Sequence, residues 1–222
     1  MAILTKKKIL EKIKQKQINF EPALDKHQIS PNSIDLRAGW NFYIPHTWKY
    51  TAKGRVAVTA DYTDYQNFEE YFKLIKLKPG QYFEILPQEF ILISTLEKII
   101  LNSGNLSGLL LPRSSALRRG IQIETGMIDC GYNGQLTIPV VNNSHHIIKI
   151  YPGERLCQTQ FFELTDDLSE KEAKMHGVQE AKYVGSTPYS LEAKTDSGDE
   201  LDLLKSGKLD ELKNNFSLDN RQ

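Results

Sequence analysis

Cysteine is scarce in this sequence. Its 222 residues include two cysteines, Cys130 and Cys157, and they do not form a C-x-x-C pair. A disulfide framework and a cysteine-rich zinc site are therefore both excluded. The chain also lacks a run of about 18 apolar residues, the length that a membrane-spanning helix needs. Its N-terminus has no long apolar segment of the secretory type, so we expect a cytoplasmic protein that contacts no membrane.

An excess of charge of either sign is also absent. Lys and Arg together number 28, Asp and Glu together number 28, and the formal net charge is zero. This balance argues against a protein that holds nucleic acid through a broad basic surface. A small anion remains possible as a ligand, because a few arginines can bind phosphate locally.

Long periodic apolar segments are missing as well. The apolar residues occur in short runs instead. From residue 77 to 164, apolar runs alternate with turn residues at a spacing of about 8–12, which is typical of all-β sandwiches and barrels. Thr5 is a candidate N-cap for a helix over residues 6–17. Residues 46–72 are polar and rich in Tyr, and they read as an insertion or a long hairpin. We expect a β-domain over residues 1–190 and a charged extension, helical or mobile, over 191–222.

The common nucleotide-binding and deaminase motifs do not occur. The sequence has neither G-x-x-x-x-G-K-[ST] nor G-x-G-x-x-G. It also lacks the His or Cys followed by C-x-x-C that zinc-dependent base deaminases use. His145 and His146 form an isolated pair that we interpret as exposed polar residues in a turn. Any phosphate chemistry must therefore come from another arrangement.

Three short segments contain candidate residues for anion binding or catalysis. Residues 111–120 contain Arg113, Arg118 and Arg119 with two serines, a combination that suits an anion but also an exposed basic turn. Asp129 follows an apolar run and precedes a Gly-Tyr-x-Gly turn, which suits a catalytic carboxylate or an ordinary turn residue. Arg155 follows a Pro-Gly turn, and this pattern by itself indicates a surface residue beside a hairpin.

In this order and spacing, the segments resemble the motifs of the dUTPase and dCTP deaminase superfamily. The matching stretches are residues 33–37, 113–115, 126–134, 152–158 and 182–188. The N-terminal helix is more similar to the dCTP deaminase branch. The resemblance implies a mainly β fold, a distorted jelly-roll-like barrel with an N-terminal helix. It also implies a homotrimer with sites at the subunit boundaries.

One position separates the activities within this superfamily. Deaminases of this type carry a Glu that activates water five residues after the Gly of the third motif, and counting from Gly134 reaches Pro139. Proline has no titratable group and cannot transfer a proton. Glu124 and Asp129 are close in sequence, but neither occupies the matching position. The resemblance thus favours a dUTPase, with dCTP deaminase or a bifunctional enzyme as the alternative.

The resemblance also assigns roles. Asp129 would position the water that attacks the α-phosphate of dUTP, and Tyr132 would contact the deoxyribose. Asp35 and Arg155 would support the site, and Mg²⁺ would bridge the phosphates without dedicated protein ligands. The other expected substrate-binding residues are Arg113, Ser114, Ser115, Arg118, Gln158, Lys182 and Tyr183.

The expected reaction is hydrolysis of dUTP to dUMP and pyrophosphate. We expect dUTP and further copies of the chain as partners, and no nucleic acid. A non-catalytic nucleotide-binding regulatory module is the alternative from another class.

Overall fold

The structure, a computed structural model, describes residues 2–59, 71–176, 179–180, 185, 187 and 196–218. The chain divides into two compact units. One unit comprises residues 1–46 and 72–191, and the other comprises residues 47–71 and 192–222. The division at residue 190 that we expected from the sequence stays a prediction.

Antiparallel strands dominate the first unit. In chain order, the strands of the described residues are β1 (Ala2–Ile3), β2 (Ile18–Glu21), β3 (Ile34–Pro45), β4 (Trp48–Thr51), β5 (Gly54–Ala57), β6 (Phe72–Lys76), β7 (Phe83–Ile85), β8 (Phe90–Leu101), β9 (Leu106–Pro112), β10 (Ile121–Ile123), β11 (Gly126–Ile128), β12 (Asn133–Asn142), β13 (Ile148–Ile150), β14 (Arg155–Glu163), β15 (Met175–His176) and β16 (Gln179–Glu180). The helices are α1 (Lys6–Lys14), α2 (Ser114–Arg118), α3 (Glu170–Ala173), α4 (Gly198–Lys205) and α5 (Leu209–Asn215), with a 3₁₀ turn at Lys26–Gln28.

The main sheet has the order β10-β12-β8-β3-β14-β9-β11, and β1, β2 and β6 pair with β14, β8 and β3. All of these pairs are antiparallel, and the sheet curls into a half-barrel. The expected mainly β, jelly-roll-like fold with an N-terminal helix is therefore confirmed. Alternating side chains of the long strands meet in one apolar core, which includes Ile34, Leu36, Ile91, Ile93, Ile138, Val140 and Phe161.

Strand β8 extends well beyond its apolar run. The sequence pattern predicts a strand at residues 90–95, because Glu97 and Lys98 interrupt the hydrophobic residues. The structure continues the strand to Leu101, with Glu97 buried inside the sheet. A buried carboxylate needs hydrogen-bond partners, and Glu97 has them in Gln28 Nε2 at 2.7 Å and the backbone N of Arg37 at 2.9 Å.

The N-terminal helix α1 is shorter than the sequence predicted. It ends at Lys14, and Lys16 adopts a positive φ of 59° that the helix cannot continue through. Thr5 occupies the N-cap position, but its side chain makes no capping hydrogen bond. Ile9 is fully buried against the sheet and holds the helix in place.

The second unit contains a hairpin and two helices. Strands β4 and β5 form the hairpin, in which the Arg55 guanidinium lies 4.1 Å from the ring centre of Trp48. Helices α4 and α5 are separated by Gly207, which adopts a positive φ of 70°. No helix among the described residues is long and apolar enough to cross a membrane.

Candidate functional site

Three of the motif segments meet where β3, β14 and β9 lie side by side. In this part of the sheet, Gln158 of β14 lies opposite Asp35 of β3 on one side and opposite Leu111 of β9 on the other. Arg113 directly follows β9, and Arg155 begins β14. The antiparallel pairing therefore brings together segments that are 42 to 120 residues apart in the chain.

Asp35 is the centre of this convergence. Its Oδ2 lies 2.9 Å from Arg113 Nε and 3.1 Å from Arg155 Nη1, and its side chain is buried. Arg113 Nη1 also donates to the carbonyl of Arg155 at 2.9 Å. Burial raises the pKa of Asp35, and the two guanidinium groups oppose part of that increase. The carboxylate thus fixes two arginines relative to each other.

Gln158 joins the same segments through its amide. Its Oε1 accepts a hydrogen bond from Ser33 Oγ at 2.9 Å, and its Nε2 donates to the carbonyl of Pro112 at 3.2 Å. Both ends of this side chain are therefore used within the chain. Its role as a substrate-binding residue stays a prediction.

The short helix α2 displays the residues expected to bind phosphate. Ser114 and Ser115 lie in its first turn and Arg118 in its last position, and all three side chains are exposed. Arg119, the next residue, is instead held by an ion pair with Glu154 and donates to the carbonyl of Lys149 at 2.7 Å. The hydroxyls and the Arg118 fork can donate to an anion, because both groups are hydrogen-bond donors.

Asp129 lies at the other end of strand β9. It directly follows β11, whose last residue, Ile128, pairs with Gly108 and accepts a hydrogen bond from Ser107 Oγ at 2.9 Å. Arg113 lies six positions further along this strand than Ser107, a distance of roughly 20 Å at the usual rise of a β-strand. A single chain therefore does not bring Asp129 together with Arg113.

Tyr132 lies close to Asp129 but points into the protein. Its backbone N donates to the carbonyl of Asp129 at 3.1 Å, and its ring is part of the apolar core. The hydroxyl donates to the carbonyl of Gln135 at 3.0 Å. The expected contact between this ring and a deoxyribose stays a prediction.

The pairing of β10 with β12 involves Glu124, a residue that does not occupy the matching position in the sequence. Ile121 and Ile123 of β10 are buried, so Gln122 and Glu124 lie on the opposite, exposed face. The backbone N of Glu124 donates to the carbonyl of Pro139 at 3.2 Å, so the two residues lie opposite each other across the strands. Gln122 Nε2 donates to Glu124 Oε1 at 2.7 Å.

Comparison with known proteins identifies the family. A family model described as dCTP deaminase-like matches residues 3–164. The chain belongs to the dCTP deaminase-like family. It is 33% identical over 214 residues to a dUMP-forming dCTP deaminase of Methanosphaera stadtmanae, which covers 94% of this chain and 100% of that protein. It is also 36% identical over 170 residues to a protein of the same name from Sulfurihydrogenibium, covering 76% of this chain and 87% of that one.

A solved structure agrees at the level of the fold. The dCTP deaminase of Agrobacterium tumefaciens superposes with a TM-score of 0.56 at 22% identity and covers 74% of this chain. The match spans 49% of that protein's own chain. This similarity supports the mainly β fold of the chain.

Membership in the dCTP deaminase-like family corrects one prediction. The expectation of a plain dUTPase is wrong, because the relatives that match most of the chain are named as dUMP-forming dCTP deaminases. The prediction depended on Pro139 alone and on counting along a single strand. The antiparallel pairing shows that a carboxylate, that of Glu124, lies opposite this proline on the neighbouring strand.

Two further expectations concern the C-terminal residues that would close on the triphosphate and the metal ion. Lys182 and Tyr183, expected to close on the triphosphate, lie outside the described residues. Within the part of the chain that the structure describes, no group of three His, Cys, Asp or Glu side chains could hold a metal ion.

Proposed function

We propose that this protein converts dCTP and two water molecules to dUMP, ammonia and diphosphate. The observation that carries the proposal is the extent of the match to dUMP-forming dCTP deaminases, which reaches 94% of the chain at 33% identity. The segments at residues 33–37, 113–115, 126–134 and 152–158 all lie within the family match over residues 3–164. The chemistry has two parts, which are replacement of the cytosine amino group and cleavage between the α- and β-phosphates.

The phosphate half of the reaction needs positioned donors more than it needs covalent chemistry. Arg113 is fixed by Asp35, and the exposed side chains of Ser114, Ser115 and Arg118 follow it on α2. In the proposal these groups bind the triphosphate and stabilise the negative charge that builds up on the leaving diphosphate. Arg155 and Asp35 hold Arg113 in place.

Asp129 is proposed to orient the water that attacks the α-phosphate. Its position about 20 Å along β9 from Arg113 supports a site to which two copies of the chain contribute. We therefore propose a homotrimer in which each site takes Asp129 from one copy and Arg113 and Arg118 from another. A cyclic assembly provides this arrangement with the same interface repeated around the axis.

Magnesium is proposed to arrive with the nucleotide. In the proposal the ion is held mainly by phosphate oxygens and water, because Mg²⁺ usually keeps several waters when it binds with a nucleotide. The Mg²⁺ complex of dCTP is then the substrate, and the chain contributes the arginine and serine donors around it.

We place the reaction in the cytoplasm.

Incubation of the purified protein with Mg²⁺ and dCTP tests the proposal. We expect ammonia, diphosphate and dUMP in equal amounts, measured by an ammonia assay and by chromatography of the nucleotides. UTP serves as the control substrate that should yield none of these products. Absence of ammonia from dCTP, with or without diphosphate release, would contradict the proposed function.

A further inference from the structure

Glu124 stands beside the position from which the expected deaminase glutamate is missing. Pro139 occupies that position on β12, and Glu124 on β10 is its partner across the strands. We propose that Glu124 is the catalytic carboxylate of the deamination step, so that the chain supplies this group from the neighbouring strand. The inference rests on the proposed function.

Cross-strand geometry places the two side chains in the same region. Residues directly opposite each other in an antiparallel pair point to the same face, with their Cβ atoms about 5 Å apart. The register Ile121↔Asn142, Gln122↔Val141 and Ile123↔Val140 continues to Glu124 and Pro139, where Glu124 N donates to Pro139 O at 3.2 Å. An extended glutamate side chain spans most of this separation, so the Glu124 carboxylate can lie beside the space in front of residue 139.

The burial pattern puts this face outside the core. Ile138 and Val140, which flank Pro139, are fully buried, as are Ile121 and Ile123 on the partner strand. The side chain of Glu124 is exposed, and that of Pro139 is partly buried. The carboxylate therefore lies where a nucleotide can approach it.

Two amides orient the Glu124 carboxylate. Gln122 Nε2 donates to Glu124 Oε1 at 2.7 Å, and Asn143 Nδ2 donates to Gln122 Oε1 at 2.6 Å. This chain of hydrogen bonds uses one carboxylate oxygen and directs the group from a single side. Oε2 is the oxygen that we assign to the attacking water.

Pro139 is compatible with this role for two reasons. It carries no charge, so it does not repel a carboxylate directly opposite, as a second glutamate would. It also has no backbone N–H, so it cannot return a hydrogen bond to the carbonyl of Glu124. Between Glu124 and Pro139, the two strands are consequently joined by the hydrogen bond from Glu124 N to Pro139 O.

The proposed step balances without an oxidant or a metal. Glu124 takes a proton from water as the water oxygen forms a bond to C4 of cytosine. It then passes that proton to the departing amino group, the C4–N4 bond breaks, and ammonia leaves, while the proton of the added hydroxyl moves to N3 as the C4–O double bond forms. The products of this step are dUTP and ammonia, and the carboxylate is regenerated.

The variant Glu124→Gln tests the assignment. Glutamine keeps the size of the side chain and a hydrogen-bonding oxygen but cannot carry the proton. We expect ammonia release from dCTP to fall about 10²- to 10⁴-fold, the usual contribution of general acid–base catalysis. Diphosphate release from dUTP should stay within about threefold of wild type, because that reaction does not involve C4. Glu21→Gln, at an exposed strand glutamate, is the matched control and should alter neither reaction.

A double variant, E124Q with P139E, returns a carboxylate to the same face from the other strand. We expect it to recover ammonia release to within about tenfold of wild type. An E124Q protein that deaminates dCTP at the wild-type rate would overturn the assignment. Loss of both reactions in E124Q would also overturn it, since the residue would then support the site as a whole. A double variant that cleaves dUTP but releases no ammonia would count against it as well.

The assignment and the proposed function fail in different ways. If wild-type protein releases no ammonia from dCTP, the proposed function is wrong and the assignment falls with it. If wild-type protein deaminates dCTP and E124Q does so equally well, the function stands and another group transfers the proton.

Discussion

At the residue scale, Asp35 connects segments that are far apart in the chain. Its carboxylate contacts Arg113 and Arg155, whose side chains are 24% and 33% exposed while its own is 4% exposed. If the buried carboxylate is removed, the two guanidinium groups lose the opposite charge that compensates them. The resulting loss of folding free energy is larger than the contribution of an exposed ion pair. Asp35 therefore holds in place Arg113, which we propose to bind phosphate, and Arg155.

We expect Asp35→Asn to lower the free energy of unfolding by about 3–5 kcal/mol, because two guanidinium groups lose their carboxylate. Urea denaturation of the variant and the wild type measures this difference. Asp25→Asn is the control, because Asp25 pairs with Arg37 at 2.7 Å but is 46% exposed. Its expected cost is below about 1 kcal/mol. Equal costs for the two variants would contradict the special role of Asp35.

We expect Glu97 to make the stability of the protein depend on pH. Burial raises the pKa of Glu97 above its ordinary value of 4.5, although Arg37 N and Gln28 donate to its carboxylate. The folded state then binds a proton more tightly than the unfolded state does. This contribution to stability is complete below pH 4.5 and is lost as the pH rises through the higher pKa of the folded protein.

The variant Glu97→Gln tests this dependence, because glutamine does not titrate. We expect the unfolding free energy of wild type to fall relative to that of the variant as the pH rises from 4.5 toward neutrality. Denaturant titrations at several pH values measure the difference between the two proteins. A difference that is constant over this range would show that Glu97 does not titrate there.

At the scale of elements, the contact between β3 and β8 depends on a residue without a side chain. The register between these strands shifts between Ala38 and Phe42, and Gly39 lies within that irregular stretch. A Cβ atom on Gly39 would lie 2.6 Å from Ser94 Oγ and 2.7 Å from the carbonyl of Thr95. The second of these atoms belongs to the backbone and cannot rotate away.

We expect Gly39→Ala to lower the free energy of unfolding by about 1–3 kcal/mol, since the two strands must separate to admit the methyl group. Thermal or urea denaturation measures the cost. Gly126→Ala is the control, because a Cβ atom there meets nothing within 4 Å. If the two variants were equally stable, the close approach of β3 and β8 would not be a constraint on the fold.

At the scale of the whole molecule, the proposed site is divided along strand β9. Asp129 lies beside one end of the strand and Arg113 follows the other. The proposal that different copies supply Asp129 and Arg118 to one site can be tested by mixing subunits. The variants Asp129→Asn and Arg118→Ala should each release little diphosphate from dUTP, because each lacks one part of every site.

Refolding the two variants together in equal amounts should restore diphosphate release to about a quarter of the wild-type value. In a cyclic trimer, random mixing gives about one site in four an intact Asp129 from one copy and an intact Arg118 from the next. The activity of each variant refolded alone is the control. If mixing restores no activity, the two residues act from the same copy or from different sites.

Local patterns in the sequence carried much information about the fold. Alternating apolar residues and turn signals identified most strands of the sheet, and the mainly β class followed from them, because the side chains of a strand point to opposite faces in turn. The pattern failed at Glu97, which ends an apolar run but lies inside β8. Its burial depends on Gln28 and Arg37, which are distant in sequence, and no local signal reports such partners.

Residue order and spacing were sufficient to predict the mainly β fold, and the resemblance of short segments to known motifs indicated the superfamily. Which of these segments meet depends on how the strands pair. This pairing brought Asp35, Arg113 and Arg155 together, placed Asp129 at the far end of β9, and set Glu124 opposite Pro139. The physical reason is that antiparallel register joins residues across strands. A position that lacks a carboxylate along one strand can thus have one beside it on the next.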